Sequence, residues 1–311
     1  MNPGSSITKA QINNIWAFYK LGANPVIERI NIGFTNELYK VDHHILKIYA
    51  RPQTGEKSLD RETRYLKSLY KTVLVPKLIA ADKSHQLIDK PFIIYEAIAG
   101  EPLGGRWHSL TDQRRQQIIK DVCRQLRLIA ATDPLPKLAS NKTWQQQMMD
   151  AIFEYLGQAR QKRLLTESVI SEAEDFVRQY AAVLKPETLG LMYWDVHLDN
   201  LIVDDADKLV GIVDFEHVDV VSIDFVLTII RQLVRYPHLS LSEDQEYLAD
   251  KKDYQHLMEW FGQFYPELFD FPELERRIDL YELIDILRLL PRFPNTRQLH
   301  DRLALMLSSN N

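Results

Sequence analysis

The chain has 311 residues, 45% of them hydrophobic and 26% charged, and its 38 Lys+Arg fall short of its 43 Asp+Glu, for a net charge of -5. Such a composition belongs to a globular protein with room for one large domain or two medium ones, and its acidic balance gives no support to nucleic-acid or anionic-membrane binding. The single cysteine, Cys123, cannot close an internal disulfide; it sits among helix formers and reads as a small buried apolar side chain in a reducing compartment.

No stretch reaches the ~18 apolar residues of a membrane helix; the best candidate, "VVSIDFVLTII", is interrupted by Asp224. The opening "MNPGSSITKAQ" lacks a basic region followed by an apolar one, so no secretory signal and a cytoplasmic location are expected. Residues 8–21 put Ile12, Trp16 and Tyr19 at helical spacing. Between Val26 and Tyr49, short β-branched and aromatic runs broken at "GFTN" and "DHH" predict three strands. "SLDRETRYLKSLY" predicts a helix with Tyr65, Leu66 and Leu69 on one face, and "VPKLIAAD", "HQLID" and "PFIIYEAI" predict further strands. The turn-rich "AGEPLGG" is the expected boundary between a small β-rich lobe, residues 1–97, and a larger helical one, residues 98–311. Helical patterns fill Thr111–Ala131 and Trp144–Leu184. Strands return in "LGLMYWD" and in "NLIVDDADKLVGIVDF", a hairpin turning at "DDADK", and helices follow Ser222.

The chemistry concentrates in "YWDVHLDN" and the nearby "IVDFE", where Asp195, His197, Asp199, Asn200 and Asp214 stand in apolar company. Buried carboxylates need partners, so these residues mark either a solvated acidic loop or a site. Asp195 and Asn200 are five residues apart and Asp214 lies on the far arm of the hairpin, the D-x-x-x-x-N…D spacing of kinases. There a carboxylate orients the attacking hydroxyl and accepts its proton. Magnesium needs hard oxygens but keeps several waters, so one amide and one carboxylate suffice. Upstream, Lys47 lies on the third predicted strand and Glu62 heads the inward stripe of the next helix, as a phosphate-binding lysine and its carboxylate partner would. Singly, each also reads as an ordinary surface charge. The loop "INIGFTNELYKV", with Gly33, Thr35 and Asn36, would lie over the phosphates, although Gly33 could equally be a plain hairpin glycine.

Together "GFTNELYKV", "ILKIY", "RETRYLKSL", "PFIIYEAIAGEPL", "YWDVHLDNLIV" and "GIVDFEHVDVVSIDF" resemble the aminoglycoside phosphotransferase and choline kinase superfamily. The resemblance implies an α+β, two-lobed protein-kinase-like fold. Its small lobe would be a five-stranded antiparallel sheet plus helix. The implied activity moves the γ-phosphate of ATP, with Mg²⁺, to a hydroxyl of a small molecule. Asp195 would be the base, and Asn200 and Asp214 the metal ligands. Lys47 would pair with Glu62 and the phosphates, and the backbone at Glu96–Ile98 would hold the adenine edge. Asp224 would brace the catalytic loop by accepting backbone N–H bonds. His197 would be scaffold near the phosphates, Asp199 a solvated loop residue and Glu216 a neighbour of the metal. The family's His-Gly before the catalytic aspartate is here Tyr193-Trp194, which bears on loop support.

Other readings remain open at this level. D-x-H also opens binuclear metallophosphoesterases, but their G-D-x-x-D and G-N-H motifs are absent from the sequence. A nucleotide-binding pseudokinase without turnover would keep the same residues. A protein kinase proper would need an A-P-E segment after Asp214, and none follows. No protein partner is readable. Between Ser240 and Asp285 acids far outnumber bases and aromatics are frequent, which suggests an amine-bearing alcohol or amino sugar as acceptor. The same residues also read as the solvated faces and cores of amphipathic helices.

Overall fold

The computed structural model describes residues 7–30, 36–50, 54–132, 141–241 and 246–308. Helix α1 (Lys9–Phe18) starts at Thr8, whose side chain accepts from Gln11 N–H while the Gln11 side chain accepts from Thr8 N–H. Strands β1 (Ile27–Ile30), β2 (Glu37–Val41) and β3 (His44–Ile48) follow, then α2 (Gly55–Leu69), β4 (Leu78–Asp82) and β5 (Phe92–Glu96). The strands form one antiparallel sheet in the order β1-β2-β3-β5-β4, so β3 is central, with Lys47 opposite Leu38 and Ile93. Strand alternation divides the sheet into two faces. Leu46, Ile48, Phe92 and Ile94 join Ile12, Ile15 and Trp16 of α1 in one core. On the other face, Tyr49, Ile93 and Tyr95 join Leu59, Tyr65, Leu66 and Leu69 of α2 in the main core. Lys47 shares that second face, which fixes it beneath α2.

The segment "HQLID" is not a strand. Asp82 Oδ1 accepts from both the N–H and the Oγ of Ser84 at 2.7 Å, and His85 takes a left-handed φ of 59°. This local turn ends β4 and leads across to β5 without another rung. Where the sequence placed its boundary, the chain makes β6 (Glu101–Pro102) and α3 (Leu103–Trp107). Gly100, at φ 146°, passes so close to Val203 O that a Cβ would overlap it.

The rest is mainly helical: α4 (Asp112–Ala130), α5 (Trp144–Gln161), α6 (Glu167–Tyr180), α7 (Leu227–Arg235), α8 (Leu257–Phe264), α9 (Leu274–Leu289) and α10 (Arg297–Ser308). Thr111, Thr143 and Thr166 cap α4, α5 and α6 by accepting an N–H three residues on. Cys123 is buried in α4, and burial pushes its thiol up to about 12, which makes it inert packing. Among these helices run β7 (Leu189–Tyr193), β8 (Leu201–Val203), β9 (Leu209–Ile212) and β10 (Val218–Ser222). β7 pairs antiparallel with β10, and β8 pairs with β6 and β9. The β8–β9 turn is tied by Asp204, which accepts from Ala206 N–H and Lys208 N–H. Tyr193 opposite Val218 therefore closes a loop that contains every residue from Trp194 to His217.

One buried ion pair anchors this arrangement to α9. Asp224 and Arg277 are both fully buried, with Nε to Oδ2 at 2.6 Å and Nη2 to Oδ1 at 3.1 Å. Tyr281 OH donates to Oδ2 at 3.0 Å, and Arg277 Nη1 also donates to Pro186 O at 2.8 Å. The sequence expectation that Asp224 accepts backbone N–H bonds of the catalytic loop is corrected: among the described residues its partners are Arg277, Ser222 and Tyr281. A guanidinium arriving from 53 residues downstream occupies the carboxylate in their place. Removing one partner strands the other charge, so Asp224→Ala should cost about 3–5 kcal/mol. Asp224→Leu with Arg277→Met should recover most of that. Urea midpoints of the two variants test this; equal losses in both would show that packing, not charge, is at stake.

Candidate active site

Lys47 is 2% exposed, and its Nζ is 2.7 Å from Glu62 Oε2 and 2.7 Å from Asp214 Oδ1. One ammonium thus joins the central strand, α2 and the β8–β9 hairpin. Tyr49, two residues on and therefore on the same face, donates its OH to Glu62 Oε2 at 2.5 Å. Burial works against the Lys47 ammonium, but Asp214 and Glu62 outweigh it and hold the group well above its ordinary range. Burial raises the Glu62 carboxyl, with Lys47 opposing. For Asp214 burial also acts upward, yet Lys47 and then His217 prevail and hold the carboxyl below the usual carboxylate range. Asp214 has a left-handed φ of 64°, uncommon for a residue other than glycine and a frequent feature of functional sites.

Across the hairpin, Val213 N–H donates to Asn200 O at 2.9 Å, which sets Asp214 one residue beyond a direct tie to Asn200. Asn200 Nδ2 donates to Asp195 O at 3.0 Å and lies 3.4 Å from Asp195 Oδ2. His197 Nε2 is 3.4 Å from Asp195 Oδ1, and His197 N–H donates to Asp195 O at 2.8 Å. The loop so folded leaves the Asp195 side chain partly exposed, at 18%. With Nδ2 committed, Asn200 keeps its amide oxygen for another ligand, and Asp214 brings a carboxylate that Lys47 meets through Oδ1. One amide and one carboxylate oxygen are hard donors of the kind a magnesium ion takes while retaining waters, so the residues present fit it. Among the described residues no trio of His, Cys, Asp and Glu gathers as a cation site.

Other residues sort as follows. Gly33 and Thr35 lie outside the described residues. Asn36 is described, and its Nδ2 donates to Glu216 Oε1 at 3.0 Å, tying the start of β2 to the segment after Asp214. Glu216 is 8% exposed, with Oε1 3.9 Å from Lys47 Nζ. Glu96 N–H and Ala97 N–H already donate, to Lys77 O and His43 O, whereas Ile98 N–H has no acceptor among the described residues. The Ile98 side chain fills the space a Cβ at Gly211 would need, which places it against the hairpin. Asp199 is not the solvated loop residue expected. It is half-buried, burial raises its carboxyl, and a Cβ on Gly104 would overlap its Oδ1. The sequence reading passed over Tyr49, whose signal was the shared strand face with Lys47. It also passed over Arg61, which donates to Glu216 O at 3.4 Å and lies 3.4 Å from Asp219.

Tyr193 and Trp194 occupy their places without displacing Asp195. Tyr193 OH donates to Val213 O at 2.9 Å, and its buried ring lies 5.1 Å from Phe215. The Trp194 ring turns to His217 at 4.8 Å and Phe225 at 5.5 Å.

A family model described as "Phosphotransferase enzyme family" (APH) matches residues 26–260. The chain belongs to that family. No curated protein matches the sequence significantly. Among solved structures it is similar to APH(2'')-IIa in complex with gentamicin, with a TM-score of 0.70, 15% identity, and 97% of this chain and 96% of that one covered. It is also similar to the GDP complex of wild-type aminoglycoside 2'-phosphotransferase-IIIa (TM-score 0.70, 17% identity, 98% and 100% covered). The aminoglycoside phosphotransferase APH(4)-Ia is a third (TM-score 0.69, 12% identity, 98% and 100% covered). At such identities the likeness concerns the fold, which is α+β with a sheet-rich N-terminal part and a mostly helical remainder. As a phosphotransferase family member the chain is a small-molecule kinase with a hydroxyl acceptor.

The Tyr193 hydroxyl ties the strand before Asp195 to the residue before Asp214. Its removal in Tyr193→Phe should cost about 1 kcal/mol, read as a lower urea midpoint with an unchanged slope. An unshifted midpoint would mean that the hydroxyl bond contributes nothing and the ring alone supports the loop.

Proposed function

We propose that the protein transfers the γ-phosphate of Mg·ATP to a hydroxyl of a small molecule. The observation that carries this is Lys47 Nζ, bonded at 2.7 Å to both Glu62 and Asp214 beside a loop that presents Asp195 and Asn200. In this reading Lys47, steadied by Glu62 and Tyr49, neutralises the nucleotide phosphates. Ile98 N–H meets the adenine edge. Asn200 and Asp214 would hold Mg²⁺, which would supply positive charge to offset that of the nucleotide phosphates. Asp195 orients the acceptor hydroxyl and takes its proton as the oxygen attacks phosphorus. The bond from phosphorus to the bridging oxygen breaks and ADP leaves. His197, Tyr193 and Asp224 support the loop from outside the reacting atoms, and Glu216 orients the metal's neighbours.

Two finer readings compete. In the first, a pseudokinase, nucleotide would bind without turnover; the complete set Lys47, Asp195, Asn200 and Asp214 speaks against it. In the second, the acceptor is an amine-bearing alcohol or amino sugar, as the gentamicin in the complex of a structural relative suggests. The acids that would attract such a cation are largely committed elsewhere. Asp253 pairs with Arg115, Glu267 with Arg127, Asp279 and Glu282 with Arg231, and Asp285 with Arg288. Trp260, Phe261 and Tyr265 are buried in the main core.

Asp195→Ala should lower turnover by at least about 100-fold, since a general base contributes that much, while Mg·ATP affinity stays nearly unchanged. Asp214→Ala should weaken nucleotide binding as well. Mg·ATP should raise the melting temperature of the wild type, because it binds only the folded state, and Lys47→Ala should blunt the shift. Retained activity in Asp195→Ala would overturn the assignment of the base. A nucleotide-stabilised protein that turns over no acceptor would favour the pseudokinase.

A further inference from the structure

At the C-terminal end of α9 the buried charges do not balance. Asp285 Oδ1 accepts from Arg288 Nη2 at 2.7 Å and its Oδ2 accepts from Gln232 Nε2 at 2.9 Å, so both oxygens are engaged. A second guanidinium, Arg302 of α10, is 6% exposed and lies over the Tyr236 ring at 5.2 Å. Its Nε and Nη2 make no hydrogen bond among the described residues, and Asp285 Oδ2 is 3.9 Å from Nη2. Two arginines share one carboxylate. A buried cation with unpaired donors is costly unless something else meets it, and the planar guanidinium fork matches an oxyanion.

The cluster lies within electrostatic reach of Asp195. Burial opposes the charge of Arg288, but Asp285 outweighs it, and Asp195 and Tyr155 of α5 are close enough to add to the same effect. The packing agrees. Trp194, next to Asp195, contacts Phe225 at 5.5 Å, and Phe225 contacts Tyr281 of α9 at 5.0 Å. Arg288 follows Tyr281 by about two helical turns, and α9 is held in register by the Asp224–Arg277 pair. The Arg288 side chain is 30% exposed, and Arg302 is buried on the other oxygen of the same carboxylate.

We propose that Arg288 and Arg302 form an oxyanion subsite for the acceptor, so that the molecule phosphorylated carries a carboxylate or phosphate group besides its reacting hydroxyl. The proposal rests on the reading of Asp195 as the base, and it makes the acceptor's charge opposite to the one the acidic stretch suggests.

The test uses matched acceptors that differ in charge: glucose, glucuronate, glucose 6-phosphate and glucosamine, and likewise glycerol, glycerate, glycerol 3-phosphate and serinol. ADP release is measured at saturating Mg·ATP. The carboxylate or phosphate members should give the highest kcat/KM, and whichever of the two leads identifies the oxyanion. Arg302→Met should raise the acceptor KM about tenfold or more, the scale of losing a charge-assisted pair. It should leave the KM for ATP unchanged, and the melting temperature should hold or rise because an unmatched buried charge is gone. Arg302→Lys should fall between the two. If no member is turned over, the same panel is titrated calorimetrically into the complex with a non-hydrolysable ATP analogue, and anion-selective binding lost in Arg302→Met supports the subsite. Preference for the neutral or amine members, binding without charge preference or no binding at all would overturn it. So would an Arg302→Met protein that melts early with its acceptor KM unmoved, which would make Arg302 a structural residue. A failed kinase reading shows up separately, as the absence of any melting shift with Mg·ATP.

Discussion

The Lys47 ammonium is the point on which the site turns. Taking one charge out of water is unfavourable, and taking three is worse unless they neutralise one another at short range. Here a strand, a helix and a hairpin far apart in sequence each deliver one member, at 2.7 Å. The geometry leaves little freedom: α2 must lie over the face of the sheet that bears Lys47, and the β8–β9 hairpin must present Asp214 beneath it. Asn36 to Glu216 and Arg61 to Glu216 O add two partly buried ties across the same junction. Burial raises the Glu62 carboxyl, whereas for Asp214 Lys47 and His217 outweigh burial, so the two are not equivalent. The carboxylate best able to keep its charge is the one that belongs to the hairpin, where charge would be needed for a metal.

How much of this was legible depended on the range of each interaction. The central strand and α2 could be read because strand alternation and helical spacing are local, and they put Lys47 and Glu62 on facing surfaces. The hairpin was legible from its turn residues. The supposed strand "HQLID" failed for an equally local reason, the Asp82–Ser84 turn, whose signal was present but weaker than the apolar pair Leu87 and Ile88. What could not be read were partners separated by many residues. Nothing around Asp224 announces Arg277, and nothing around Asp199 announces Gly104. The acids from Glu243 onward looked like an attractive field for cations only because their arginine partners lie partly outside that stretch, on α4 and α7.

Tyr193 and Trp194 show how a departure from a family pattern can be absorbed. The phenol reaches Val213 O, a backbone atom adjacent to Asp214, so one side chain links the two strands that carry Asp195 and Asp214. The indole fits because the β7–β10 ladder gives out there with one long bond, Trp194 N–H to His217 O at 3.4 Å, and the neighbouring His217 and Phe225 offer ring edges and faces. A glycine is required at such a position only when backbone or ligand would meet a Cβ. The contacts made by Trp194 show that the space beside this loop is lined by side chains.

The aromatic contacts have a consequence for the acceptor side. Trp194, Phe225, Tyr281 and Trp144 touch in sequence, and Tyr281 is also bonded to Asp224. α9 is therefore tied at Arg277 and Tyr281 to the segment after the catalytic loop, by close packing and one buried ion pair. A fold shared at 12–17% identity leaves the charges at the C-terminal end of α9 free to vary, since α9 and α10 can keep their packing while exchanging individual charged side chains. With the proposed subsite, acceptor charge preference would follow from local pairing, from which arginines find carboxylates and which do not. It would not follow from the relatives' ligands or from the count of acids in the helical region.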